Sequence, residues 1–263
     1  MNSPVGRVPE LLLRAGNALL DLIFPPRCPG CDRLGELFCA DCRAEVEVIW
    51  GPVCPRCGRP TERPEMCDAC RHMPGNLDRV VSAVVFAGPI RPAIHAFKYN
   101  NGRALAAPLG AYLIDAWRRA DMAADCIVPV PLHARREAER GYNQSALLAR
   151  VLSHAVGVTL DEKLVVRQKA TQQQALLNAA QRRENVRGAF TCRRPVAGRR
   201  IVLVDDVCTT GSTLEACAAA LREAGAEQVA ALTLARARWL PGHPAPDVMR
   251  PSTNDSTNAQ IVR

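Results

Sequence analysis

The densest chemistry in the chain sits at residues 201–213, IVLVDDVCTTGST. Four β-rich apolar residues run into Asp205 and Asp206. Cys208 comes next, then Thr209, Thr210, Gly211, Ser212 and Thr213, where a helical pattern starts. In an open α/β sheet, a strand of this kind carries the chain to the carboxyl edge, where ligands bind. A helix N-terminus at that edge offers unpaired N–H groups and positive dipole character, which favour phosphate. Gly211 lets the backbone approach closely, and the four hydroxyls add donors. Asp205 and Asp206 would repel a bare phosphate. They make sense if they accept hydrogen bonds from vicinal hydroxyls or hold Mg²⁺. A phosphate beside a diol is a ribose 5-phosphate. The chain has no G-x-x-x-x-G-K-[ST] and no G-x-G-x-x-G after a strand, so neither a Walker loop nor a dinucleotide fingerprint is present.

A second chemistry lies upstream. Eight of the twelve cysteines form four C-x-x-C pairs, Cys28/Cys31, Cys39/Cys42, Cys54/Cys57 and Cys67/Cys70. Two intervening residues let one tight turn aim both sulfurs at one ion, and two turns complete a tetrahedron. CPGCDRLGELFCADCR and CPRCGRPTERPEMCDACR repeat one another, so each copy reads as a unit with its own ion. Cys28, Cys31, Cys39 and Cys42 are assigned to one Zn²⁺ and Cys54, Cys57, Cys67 and Cys70 to another. Interleaved ligation and an iron–sulfur cluster also satisfy the spacing, but a doubled knuckle is more typical of zinc. Four thiolates leave no open position for water, so the role is structural. So small a segment has little core of its own, and zinc removal is expected to unfold it alone. Cys126 and Cys217 lie in apolar runs and read as core.

Charge points to an anionic partner. Lys and Arg total 34 against 26 Asp and Glu, a net +8. Residues 131–200 hold fourteen basic and five acidic side chains, so this stretch is +9 and the remainder nearly neutral. Aromatic content is 4%, a poor basis for a base-stacking surface. With 48% hydrophobic and 23% charged residues over 263 positions, the chain reads as globular, and collagen, coiled coil and wholesale disorder are excluded.

These groups need a scaffold. Residues 80–87, 126–128, 200–205 and 228–234 read as strands. Residues 90–99, 103–119, 143–156 and 212–224 read as helices, with Asn143 as an N-cap. The alternation predicts an α/β fold with a mostly parallel sheet. Residues 1–26 read as an amphipathic helix ended by Pro25-Pro26, too interrupted by charge for a bilayer span or a signal peptide, which points to a cytoplasmic protein. The expected organisation is this helix, a double zinc ribbon at 27–75, an α/β domain at 78–238 and a disordered tail at 241–263.

With these motifs in order, the chain resembles the ComF/GntX family, a double zinc ribbon followed by a type I phosphoribosyltransferase domain. FKYNNG at 97–102, PVPLHARREAERGYNQSALLA at 129–149 and TQQQALLNAAQRRENVRGAF at 171–190 match as well. The resemblance implies that Asp205 and Asp206 hold the ribose hydroxyls and that residues 208–213 hold the 5-phosphate. It places Arg135, Arg136 and Arg140, in a loop after the V-P-V-P stretch, beside pyrophosphate. It places Gln174, Arg182 and Asn185 in a mobile segment that closes over substrate. The implied ligand is phosphoribosyl pyrophosphate with Mg²⁺, and the implied reaction is phosphoribosyl transfer, a glycosyltransferase chemistry, to a nitrogen acceptor that no residue identifies. The family also implies an alternative: a competence factor for DNA uptake that uses the fold without turnover and binds nucleic acid or a motor protein.

Overall fold

The computed structural model describes residues 25–72, 75–99, 102–169 and 179–238. Residues 1–24 of the expected N-terminal helix, the tail after 241 and Gln174 lie outside these residues, and nothing of Arg182's side chain is described.

Four parallel strands form the centre. They are β1 (Arg79–Val85), β2 (Cys126–Pro129), β5 (Arg200–Cys208) and β6 (Gln228–Arg236), in the order β1-β6-β5-β2. A two-stranded antiparallel ribbon, β3 (Val165–Arg167) with β4 (Phe190–Cys192), stands apart from them. On one face lie α3 (Ile90–Tyr99), α4 (Ala106–Arg119) and α6 (Gln144–Val156). On the other lies α8 (Ser212–Glu223), with the ribbon and α7 (Ala179–Val186) beside it.

β5 shows how the sequence dictates this. Val202 and Val204 face the α4/α6 core, while Ile201 and Leu203 face the α8 core, all at most 1% exposed. A strand buried on both faces reads as a continuous apolar run, and each such side chain contributes about 1.5–3 kcal/mol by leaving water. The α4–α6 contact is close because position 110 is glycine: a Cβ there would stand 2.6 Å from Val151 Cγ1.

Among the described residues the predicted helices and strands are present, with shifted ends. β5 runs on to Cys208, because β6 offers ladder partners as far as Arg236, so both aspartates are strand residues. The stretch expected as a loop after residue 131 contains a short helix, α5 (Ala134–Arg140), capped by His133 and closed by Gly141 at φ +75°. Asn143 caps α6 through the Ser145 N–H, as expected.

The cysteine segment is not a free appendage. It contains two five-residue helices, α1 (Ala40–Ala44) and α2 (Asp68–His72). Residues 47–49 line up antiparallel to β1: Ile49 N–H donates to Ala83 O at 3.1 Å and Val85 N–H to Glu47 O at 2.8 Å. Cys28, Phe38, Cys39, Cys42 and Val46 share one continuous core with Val84, Ile90 and Phe97. Because its first half belongs to the core of the sheet, this packing argues against the expectation that the segment unfolds alone.

Candidate ligand site and metal centres

At the carboxyl edge of β5 the two aspartates diverge. Asp206, 8% exposed, meets Lys98 Nζ at 3.0 Å from the end of α3. Asp205 accepts from Ser145 Oγ at 2.8 Å, at the start of α6, and from the Asp206 N–H at 2.9 Å. Burial first, and the Asp206 charge second, push the Asp205 carboxyl from its ordinary 3.8 up to about 7. A hydroxyl donor or a cation beside Asp205 would relieve the unfavourable field of the Asp206 charge on that carboxyl.

The loop beyond them turns sharply. Gly211 has φ +80° and is the N-cap of α8. Thr210 Oγ1 lies 2.8 Å from Ser212 Oγ and 3.4 Å from the Ser212 N–H, which donates to it. Thr209, Thr210 and Thr213 are half-buried. Cys208 is buried at the strand end, where Arg236 Nη1 donates to its Sγ at 3.3 Å. Burial pushes that thiol up, against the opposing pull of the Arg236 charge.

The basic residues separate. Arg135 pairs with Glu139 at 3.0 Å on the solvent side of α5. Arg140 donates to Gln144 Oε1 at 2.9 Å and Tyr99 Oη at 3.3 Å, and lies 4.9 Å over the Tyr99 ring. Arg136 is half-buried and within electrostatic reach of Arg167. Asn185 lies on α7, which packs against α8. Three residues are added to those the sequence singled out: Lys98, Ser145, and Arg167 of β3, which faces Asp205 electrostatically. Lys98 lies inside FKYNNG, so its motif was visible but its partner was not.

The cysteines cluster in sequential sets. In each, the four sulfurs lie within 4.8 Å of one another. Cys31–Cys39 at 3.5 Å and Cys57–Cys67 at 3.7 Å approach the ~3.8 Å edge of a tetrahedron with 2.3 Å Zn–S bonds. The Cys39 N–H donates to Cys28 Sγ at 3.4 Å and the Cys67 N–H to Cys54 Sγ at 3.5 Å. Burial alone would raise the Cys28 and Cys54 thiols, yet these and neighbouring N–H groups bring both to about 6. The donor set and its N–H···S bonds fit zinc.

Two Cys₄ knuckles joined to a parallel sheet define the class: a double zinc ribbon with a phosphoribosyltransferase-type domain. Sequence profiles agree, the double zinc ribbon domain matching residues 19–71 and the phosphoribosyl transferase domain residues 138–262. The chain is 36% identical over 185 residues to the DNA utilization protein YhgH of Salmonella typhimurium, covering 68% of this chain and 82% of that one. It is 38% identical to YhgH of Escherichia coli K12, covering 65% and 77%. It is 34% identical over 220 residues to competence protein F of Haemophilus influenzae, covering 80% and 90%. The chain belongs to this competence protein F family. Among the described residues, no helix is long and apolar enough to cross a membrane.

Proposed function

We propose that the chain binds phosphoribosyl pyrophosphate, or a related ribose 5-phosphate, and transfers the phosphoribosyl group to a nitrogen acceptor. The observation that carries this is the half-buried Asp205 and buried Asp206 at the carboxyl edge of β5, in the strand that runs into the Thr209–Thr213 loop. The N–H groups at the start of α8 and the Thr/Ser hydroxyls receive the 5-phosphate. Asp205 and Asp206 accept from the ribose hydroxyls. Arg136 and Lys98 offset the charge of the diphosphate end. The carboxylates are hard oxygen donors of the kind Mg²⁺ takes, and Mg²⁺ would neutralise the diphosphate there. In the transfer, the C1–O bond breaks, pyrophosphate leaves with the electron pair, and the acceptor nitrogen forms the new C1–N bond and gives up its proton. The protein contributes position and charge.

Calorimetry with phosphoribosyl pyrophosphate and Mg²⁺ tests binding, and pyrophosphate release with a panel of bases and amines tests turnover. Absence of binding, or native affinity in Asp206→Asn, removes the reading. The names of the relatives, a DNA utilization protein and a competence protein, favour a second reading in which the site senses its ligand without turnover and the chain engages DNA or an uptake motor. DNA binding over a salt series, with no pyrophosphate released, would select it.

A further inference from the structure

The second cysteine cluster sits next to the first turn of α8, not at the far end of a linker. Arg56, between Cys54 and Cys57, donates through Nη1 to Cys70 O at 3.3 Å and reaches Glu215 Oε1 at 4.0 Å. Glu215 is in the first turn of α8, the helix that the loop opens. Its other oxygen accepts the Asn76 N–H at 2.8 Å. Gly75 lies close to this pair: a Cβ there would stand 2.6 Å from Glu215 Oε1 and 1.9 Å from Arg56 Nη2, so both side-chain ends would have to move aside. Arg222, in the last turn of the same helix, holds Asn76 O at 3.2 Å and both Asp78 oxygens at 2.7 and 2.6 Å. Arg236, 7% exposed, donates to Cys208 Sγ immediately before Thr209 and ties β6 to the strand end that leads into the loop. The Arg56 O accepts the Val80 N–H of β1 at 2.7 Å, so the knuckle is pinned to the sheet as well. The first cluster touches other elements. A Cβ on Gly30 would lie 3.0 Å from Pro89 Cβ, ahead of α3, and Cys28, Cys39 and Cys42 share the core with Ile90 of α3.

We propose that the second metal knuckle is a positioning element of the ligand site, with Arg56 and Glu215 setting where residues 209–216 lie. The first knuckle holds the sheet core and does not set the loop. A zinc ion at the second cluster fixes the turn that carries Arg56, and Arg56 fixes the start of α8. This rests on the phosphoribosyl reading only for its ligand, since the mechanical link is independent of it.

The test uses the full chain with its metal. Metal content, hydrogen exchange of peptides covering 209–216, and affinity for phosphoribosyl pyrophosphate are measured in wild type, Cys67→Ser, Cys31→Ser and Arg56→Met. Cys67→Ser is expected to lose one zinc, exchange the 209–216 amides at least tenfold faster and bind at least tenfold more weakly. Cys31→Ser is expected to lose one zinc and lower the melting midpoint, while both loop readouts, taken well below that midpoint, stay within twofold. Arg56→Met is expected to keep both ions yet speed loop exchange several-fold, with Arg56→Lys restoring part of the protection. Unchanged loop exchange in Arg56→Met, or equal effects from Cys67→Ser and Cys31→Ser, overturns the proposal. If the wild type does not bind phosphoribosyl pyrophosphate, the ligand reading falls and the exchange data still decide this one.

Discussion

Asp205 shows how function and stability oppose one another at a single side chain. Its carboxyl titrates near 7 in the fold against 3.8 ordinarily, through burial and the adjacent Asp206. Between about pH 4 and 7 the folded protein retains a proton that the unfolded chain has released, so stability falls as pH rises through this window. The ligand-free melting midpoint is expected to drop from pH 5 to pH 8, and Asp205→Asn is expected to flatten that slope while weakening the ligand. An unchanged slope in the variant would assign it to another group. Asp206→Asn should leave Lys98 without its charge partner and weaken phosphoribosyl pyrophosphate at least tenfold, about 1.4 kcal/mol, by calorimetry. Gly211→Val should act through backbone conformation, because a Cβ there meets only Cys208 Sγ at 3.9 Å while φ stays at +80°. The left-handed region costs a branched residue about 1–2 kcal/mol or more, and loop and affinity should fail together. The aspartates and the threonine turn were legible in the sequence because they are contiguous. Lys98, Ser145 and Arg167 were not, because only the sheet topology brings three distant segments to one edge.

Among the elements, the long ones announce themselves. β5 and α6 have a clear apolar pattern and, for α6, a capping Asn143. The end of β5 was misjudged because Asp205 and Asp206 break the apolar run, whereas pairing with β6 continues regardless of side-chain polarity. β3 and β4 are three residues each, too short for a periodicity to show. α5 has the sequence ARREAER, which has strong helix formers but no apolar stripe, and so reads as a loop. The α4–α6 contact offers a check on packing. Gly110→Ala should overpack against Val151 at a cost of about 1–3 kcal/mol and a lower melting midpoint. Val151→Ala in the same chain should recover most of the loss. An unaltered midpoint in the single variant would mean that the two helices move apart freely.

At the scale of the whole molecule, the cysteine repeat pointed to two four-cysteine units, and the sulfurs gather in those same two sets. Spacing reports ligation and is silent on what a knuckle packs against. Because Cys28, Cys39 and Cys42 share a core with Val84 and Phe97, chelation is expected to lower the melting midpoint of the entire α/β unit in one transition. Circular dichroism during zinc release measures this, and a separate low-temperature step before an unmoved main transition would contradict it.

Residues 47–49 occupy the outer margin of β1, whose backbone hydrogen-bonding groups would otherwise face outward. Cutting the chain after position 75 to isolate the enzyme-like half would strip that cover from a margin built of Val80, Val81, Ala83, Val84 and Val85. Such a fragment would present a ready template for strand addition. It should self-associate on expression, and a shortened version would need a substitute strand, or charges planted along that margin, to stay dispersed.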